Sequence, residues 1–209
     1  MKTEILLPHI RNYFQSFLQV LDINTVEYAK LNEIPIVDTE VGVFLQFLLQ
    51  LHSVNLSLEI GCGIGVSTRY IADSVNGRLI SIDYNRQRIE KARLYLKGRE
   101  NIEFLCIDAE EYLRRNKKKF DFVFVDSVKS RYGILWHLLK NNLNNGALVV
   151  FDDILIYGLL GQDKSIVPNK YKFMCSELDS FIKEIVEERV YPFCLVPIGN
   201  GLLLIRNAC

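Results

Sequence analysis

The sequence predicts an α/β domain built on a doubly wound, mostly parallel sheet. Three observations predict it. From Leu56 onward, short and continuously apolar runs alternate with amphipathic helical segments, the pattern of strands covered by helices on both faces. The first run, Leu56–Ile60, breaks into glycines at alternate positions, Gly61, Gly63 and Gly65. The runs also end on acidic residues with regularity: Glu59, Asp83, Asp108, Asp126 and the pair Asp152-Asp153.

The elements follow in order. Residues 1–34 read as helical, with Ile10, Phe14, Phe17, Leu18 and Leu21 recurring at three and four. A second short helix begins near Thr25, capped near Asn24. Ile34–Glu40 is extended, because Pro35 disfavours helix in the residue before it. A helix from Thr39 to about Leu51 is apolar nearly all round and is expected to be buried. Four strand–helix units and a fifth strand come next: Leu56–Ile60 with Ser67–Ser74, Arg78–Asp83 with Asn85–Lys97, Ile102–Ile107 with Glu110–Arg115, Phe120–Asp126 with Tyr132–Leu143, and the strand Ala147–Asp152. After a loop at 155–173 and a helix Cys175–Glu188, two strands, Phe193–Pro197 and Leu202–Arg206, flank Ile198-Gly199-Asn200-Gly201. An Asn-Gly gap of this length predicts an antiparallel hairpin. The whole chain reads as one domain, with residues 1–52 as a helical cover and 53–209 as the core. A wall for substrate or a dimer contact is the other reading of the cover.

Composition narrows the function classes. The 209 residues are 49% hydrophobic and carry 25 basic and 25 acidic side chains, so no global basic excess points to nucleic acid. The five cysteines are scattered without a C-x-x-C, which suggests neither a disulfide framework nor a zinc site. His9, His52 and His137 lie far apart and read as core or surface residues. Apolar stretches are interrupted before the length of a membrane helix, and the start of the chain lacks a signal-peptide layout. A cytoplasmic protein is expected.

The glycine loop opens a helix whose first N–H groups carry partial positive charge. Its spacing departs from the G-x-G-x-x-G of nicotinamide and flavin sites. With Glu59 ahead, it resembles motif I of the S-adenosylmethionine (SAM) methyltransferases. Asp83, at the end of the next strand, is placed to accept from a ribose, and Asp108-Ala109 to flank an adenine. One acidic strand end is ordinarily a helix N-cap. Several converging on one rim repel each other unless positive charge lies between them. Asp126, Asp152 and Asp153, with no Cys or His nearby in sequence, form a hard oxygen set suited to Mg²⁺ first, then Mn²⁺ or Ca²⁺. Lys129, three residues after Asp126, is a candidate general base, since a neighbouring dication would lower its pKa. The plain alternative is a solvated loop lysine.

Longer stretches carry a more specific resemblance. Val125-Asp126-Ser127-Val128-Lys129-Ser130-Arg131-Tyr132 is similar to the V-D-A-D-K-x-x-Y signature of the cation-dependent O-methyltransferases of the catechol and caffeoyl-coenzyme-A type and their small bacterial members. Gly146 to Gly158 resembles that family's G-G-x-x-x-x-D-N-x-L-x-x-G, Ile34 to Gly42 its I-P-I-x-x-P-E-x-G, and Pro197 to Leu202 its P-x-G-D-G-L. The resemblance runs in order from about residue 26 to the C-terminus. It implies a Rossmann-like class I methyltransferase fold with a seven-stranded sheet. It matches Gly61, Gly63, Gly65, Ser67 and Asp83 to SAM contacts and places Val37 near the methionine moiety; Glu59, Asp108, Ala109 and Asp126 complete the candidate cofactor residues. It assigns the cation to Asp126, Asp152 and Asp153, and the base to Lys129.

The implied reaction moves a methyl group from SAM to a hydroxyl of a catechol-like small molecule. Relatives that methylate 5-hydroxyuridine in tRNA supply an alternative, and Arg114–Lys119 is a basic run that would meet phosphate. A non-catalytic SAM-binding module is a reading from another class. Relatives are often homodimers. Three departures stand out: Asp153 replaces the usual Asn, Val128 replaces a frequent Asp, and Asn200 replaces the Asp of the closing segment.

Overall fold

The structure, a computed structural model, describes residues 23–163 and 165–208. The amphipathic stretch Ile10–Leu21, Glu4, His9 and Cys209 lie outside the described residues. A seven-stranded sheet runs in the order β3-β2-β1-β4-β5-β7-β6. Its strands are β1 (Leu56–Ile60), β2 (Arg78–Asp83), β3 (Ile102–Cys106), β4 (Phe120–Val125), β5 (Leu143–Phe151), β6 (Phe193–Val196) and β7 (Leu202–Arg206). The first five are mutually parallel, and β7 lies antiparallel between β5 and β6. The doubly wound class and the closing hairpin are as the sequence predicts. β1 sits at the switch point between β2 and β4, which is where doubly wound sheets open a crevice at their carboxyl ends.

The helices among the described residues are α1 (Ile23–Leu31), α2 (Thr39–Gln50), α3 (Val66–Ala72), α4 (Arg86–Tyr95), α5 (Ala109–Arg115), α6 (Tyr132–Leu139) and α7 (Asn169–Glu188). β4 explains the two-layer packing. Its alternate residues Phe122 and Phe124 face a cluster with Leu45 and Leu49 of α2 and Tyr70 and Ile71 of α3. Val123 and Val125 face the other layer, with Tyr132 and Trp136 of α6 and Phe181 and Ile185 of α7. There Phe151 stacks against Tyr132 and Phe181, with ring centroids 5.0 Å apart in each pair. A third cluster places Ile89 and Ala92 of α4 over Cys62 and Phe104.

Several boundaries differ from the sequence reading. β5 begins at Leu143 rather than Ala147, because Leu143 pairs with Phe120 across a register shift in the ladder. The helix expected from Cys175 starts at Asn169, directly after Pro168, so part of the expected loop is helical. The helix from Asn85 ends at Tyr95, with the Asn85 side chain accepting from the Arg88 N–H as its cap. No helix among the described residues is long and apolar enough to cross a membrane.

Candidate active site

The glycine loop is shaped by packing as much as by a ligand. Gly61 has φ of 93°, and a Cβ there would stand 1.8 Å from the Asp126 carbonyl oxygen. The close approach joins the ends of β1 and β4, and only glycine permits it. Gly61→Ala is therefore expected to cost about 3 kcal/mol or more through overpacking and a strained φ, read as a lower urea midpoint. Gly65 (φ 94°) packs less closely, with a Cβ there 3.2 Å from Ala92 of α4. Gly63 differs: a Cβ there would meet only the Pro35 carbonyl, 4.0 Å away, on the open side of the loop.

Glu59 is fully buried beneath this loop. Its carboxylate accepts from Ser67 Oγ at 2.5 Å, Thr68 Oγ1 at 2.6 Å and Ser81 Oγ at 2.5 Å. Burial pushes its pKa up, and the three hydroxyls oppose that shift. Sequence reasoning placed Glu59, Gly65 and Ser67 against the cofactor. None of the three is among the residues lining the cavity: Glu59 and Ser67 bond to each other and Glu59 to Ser81, which holds the loop to α3 and β2.

The other assigned positions do line one cavity of about 620 Å³ at the carboxyl ends of the strands: Val37, Gly61, Gly63, Asp83, Asp108, Ala109, Asp126, Lys129, Asp152 and Asp153. Asp83 accepts from the Gly63 N–H at 3.0 Å and the Asn85 N–H at 2.8 Å, which anchors the loop while its carboxylate stays at the cavity edge. Asp108 caps α5 by accepting from the N–H groups of Glu110 and Glu111.

The opposite wall is built from the ends of β4 and β5. The buried Tyr132 hydroxyl donates to the carbonyls of Val125 at 3.2 Å and Asp152 at 2.9 Å, tying the two strand ends together. Lys129 Nζ lies 2.7 Å from Asp126 Oδ1 and 2.9 Å from Asp153 Oδ2. Burial alone would lower the Lys129 pKa. Tyr132, Asp126 and Asp153 override it, and the net shift is upward. This is the reverse of the shift expected beside a dication. Asp152 is 4% exposed, and burial, reinforced by Asp126 and Asp153, pushes its pKa up to about 8.

Three neighbouring carboxylates lining one cavity form an oxygen donor set that fits a hard cation in chemistry. As the side chains stand, no group of three acidic, His or Cys residues among the described residues is gathered to hold a metal. The reason is visible: the Lys129 ammonium occupies Asp126 and Asp153, and Asp152 Oδ1 accepts from the Asp153 N–H at 2.7 Å.

The sequence profile of the O-methyltransferase family matches residues 10–208. The chain belongs to the O-methyltransferase family. This O-methyltransferase is 26% identical over 202 residues to a caffeoyl-CoA O-methyltransferase of Populus kitakamiensis, covering 91% of this chain and 86% of that protein. It shares its fold with TomG of Streptomyces achromogenes, an O-methyltransferase of tomaymycin synthesis solved with SAM (TM-score 0.82, 21% identity, 96% of each chain). An O-methyltransferase of Bacillus cereus solved with SAH is likewise similar in fold (TM-score 0.81, 19% identity, 95% of this chain and 97% of that one).

Sequence reasoning missed part of the O-methyltransferase's cavity wall. Tyr157, 76% exposed, and Tyr171 stand at the cavity with ring centroids 6.4 Å apart. Both fall in the stretch 155–173 that read as plain loop, where a pair of tyrosines was the available signal. Asn200, noted as a departure, accepts from the Tyr157 N–H at 2.7 Å and so holds that residue at its positive φ of 56°.

Proposed function

We propose that this O-methyltransferase moves the methyl group of SAM to a hydroxyl of a catechol-like small molecule with the help of a divalent cation. The single observation that carries the reading is one cavity with two unlike walls: Gly61, Gly63 and Asp83 on one side, and Asp126, Lys129, Asp152 and Asp153 on the other. SAM supplies the methyl group. A cation held by Asp126, Asp152 and Asp153 supplies Lewis-acid activation of the acceptor hydroxyl. The chain's own residues do the rest. Gly63 leaves its side of the loop open to the cofactor, Asp83 accepts from ribose hydroxyls, and Val37 packs against the methionine moiety. Tyr157 and Tyr171 offer aromatic faces to a planar acceptor. Lys129 would take the hydroxyl proton at Nζ only as the neutral amine, after a bound cation had displaced it from Asp126 and Asp153, lowered its pKa and sent its own proton to solvent. Alignment of the two reactants is worth about 7–11 kcal/mol in favourable cases.

Small-molecule acceptors are favoured over tRNA by the state of the basic run. Arg114 pairs with Glu110 at 3.5 Å and Arg115 with Glu111 at 2.7 Å, so much of its charge is answered locally. A methylation assay with catechol and caffeoyl-CoA, with and without Mg²⁺ or Mn²⁺, tests the proposal. Turnover is expected only with SAM and cation, and to vanish in excess chelator. Full turnover in chelator removes the cation. SAM binding with no turnover on any hydroxyl substrate, undermodified tRNA included, favours the non-catalytic module.

A further inference from the structure

The tip of the closing hairpin reaches the cavity. Residues 197–201 join β6 to β7, and Asn200 among them lines the cavity wall. The tip is wedged between two other segments of that wall. A Cβ on Gly199 would stand 2.6 Å from Val41 Cγ2 and 3.3 Å from Asp38 Oδ2, and one on Gly201 would stand 2.4 Å from Leu155 Cγ. On the Leu155 side the backbones are bonded as well. The Ile154 N–H donates to the Gly201 carbonyl and the Leu155 N–H to the Asn200 carbonyl, each at 2.9 Å. Asn200 is thus held firmly in place before its side chain is considered.

One further bond decides how the Asn200 amide is turned. The Tyr157 N–H donates to Asn200 Oδ1 at 2.7 Å. A backbone N–H requires an acceptor, so the oxygen must face Tyr157 and the amide cannot be flipped. Nδ2 keeps its two N–H groups and has no hydrogen-bond partner among the described residues. It is the polar atom that Asn200 has left to offer the cavity. The wall around it is rich in acceptors, with Asp38, Asp126, Asp152 and Asp153 all lining the same space. The cations of the acceptor wall are engaged, Lys129 with Asp126 and Asp153, and Arg131 with Glu110. Tyrosine hydroxyls donate or accept alike and so do not select between the two. An aspartate at position 200 would accept from Tyr157 equally well, but would leave a second carboxylate oxygen where this chain has a donor.

We infer that Asn200 is a specificity-determining residue whose Nδ2 donates to a neutral carbonyl oxygen carried by the methyl acceptor. The inference rests on the O-methyl-transfer reading above and names the acceptor class within it: a catechol whose side chain bears an ester, amide or ketone. Asp38 beside Gly199, and Asp153, disfavour a carboxylate in that place.

Isothermal titration of the full chain, loaded with SAH in Mg²⁺ buffer, reads the contact without turnover. The carbonyl probes are methyl 3,4-dihydroxyphenylacetate and methyl 3-(3,4-dihydroxyphenyl)propanoate. Methylene carbons insulate their rings from the carbonyl, so hydroxyl acidity does not bias the comparison. Each affinity is taken as a ratio to that of 4-methylcatechol in the same chain. Asn200→Asp keeps an acceptor for the Tyr157 N–H and loses the donor. It should lower the ratio for at least one probe about three- to tenfold, the worth of one neutral hydrogen bond. Asn200→Ala should lower it too, and retained SAH affinity shows that each variant is folded. Ratios unchanged in both variants overturn the inference. So does free 3,4-dihydroxyphenylacetate binding the parent more tightly than its methyl ester. Methyl transfer from SAM to the same probes separates the contact from the reaction. Ratios that shift while no probe is methylated keep the Asn200 contact and remove the reaction. Methylation with ratios that do not shift removes the contact and keeps the reaction. Failure of every catechol to bind overturns both.

Discussion

Glu59→Ala is expected to cost about 3–5 kcal/mol of stability, because it leaves the buried hydroxyls of Ser67, Thr68 and Ser81 without their shared acceptor. SAM affinity should fall with it, although Glu59 does not line the cavity. The carboxylate ties β1 to the first turn of α3 and to β2, and so fixes the path of the glycines between them. Its pH dependence has a defined sign. Burial raises the folded-state pKa above the ordinary carboxylate value, and the hydroxyls only partly offset this. The contribution of the group is therefore fully present below the unfolded pKa and declines as pH rises through the folded one. Glu59→Gln keeps the shape and one acceptor oxygen, so its loss should be smaller and its stability profile flatter with pH. Urea unfolding of both variants across a pH series decides the matter. A Glu59→Ala chain within 1 kcal/mol of the parent would mean that the three hydroxyls find other partners.

What could be read from the sequence, and what could not, follows from the same residues. The doubly wound class and the position of Asp126, Asp152 and Asp153 at the carboxyl ends of strands were legible because apolar runs, helical segments and acidic strand ends repeat along the chain. The inward role of Glu59 was not. In a strand covered on both faces, alternation does not say which polar side chain reaches the cavity and which is enclosed. The upward shift at Lys129 was hidden for a different reason. Spacing placed it near Asp126, but its contact with Asp153 depends on Asp153 adopting a φ of 57°, which no periodic pattern reveals. The Tyr157–Tyr171 pair was missed because composition in 155–173 looked like an unstructured connection, whereas Pro168 and Asn169 already mark the start of a long helix.

Lys129→Ala should reduce methyl transfer about 10²–10⁴-fold and leave SAM affinity within about twofold, since the glycine loop and Asp83 are untouched. The contacts at Lys129 Nζ explain why the residue matters twice. Its ammonium neutralises Asp126 and Asp153 at 2.7 and 2.9 Å. With its folded pKa raised, that stabilisation is complete at neutral pH and is lost only in strongly alkaline solution. Removing it leaves the aspartates to repel one another, and Asp152, already pushed up to about 8, should titrate higher still. A carboxylate with a raised pKa contributes fully below its unfolded pKa and loses that contribution as pH rises through the folded value. The stability deficit of Lys129→Ala, about 2 kcal/mol at neutral pH, should therefore grow on the alkaline side. Lys129→Arg separates the two roles. A guanidinium keeps the positive charge between Asp126 and Asp153 but does not give up a proton in this range. Stability should return toward the parent while turnover stays low. If Lys129→Arg instead restores methyl transfer, the residue places charge and the acceptor's proton leaves by another route.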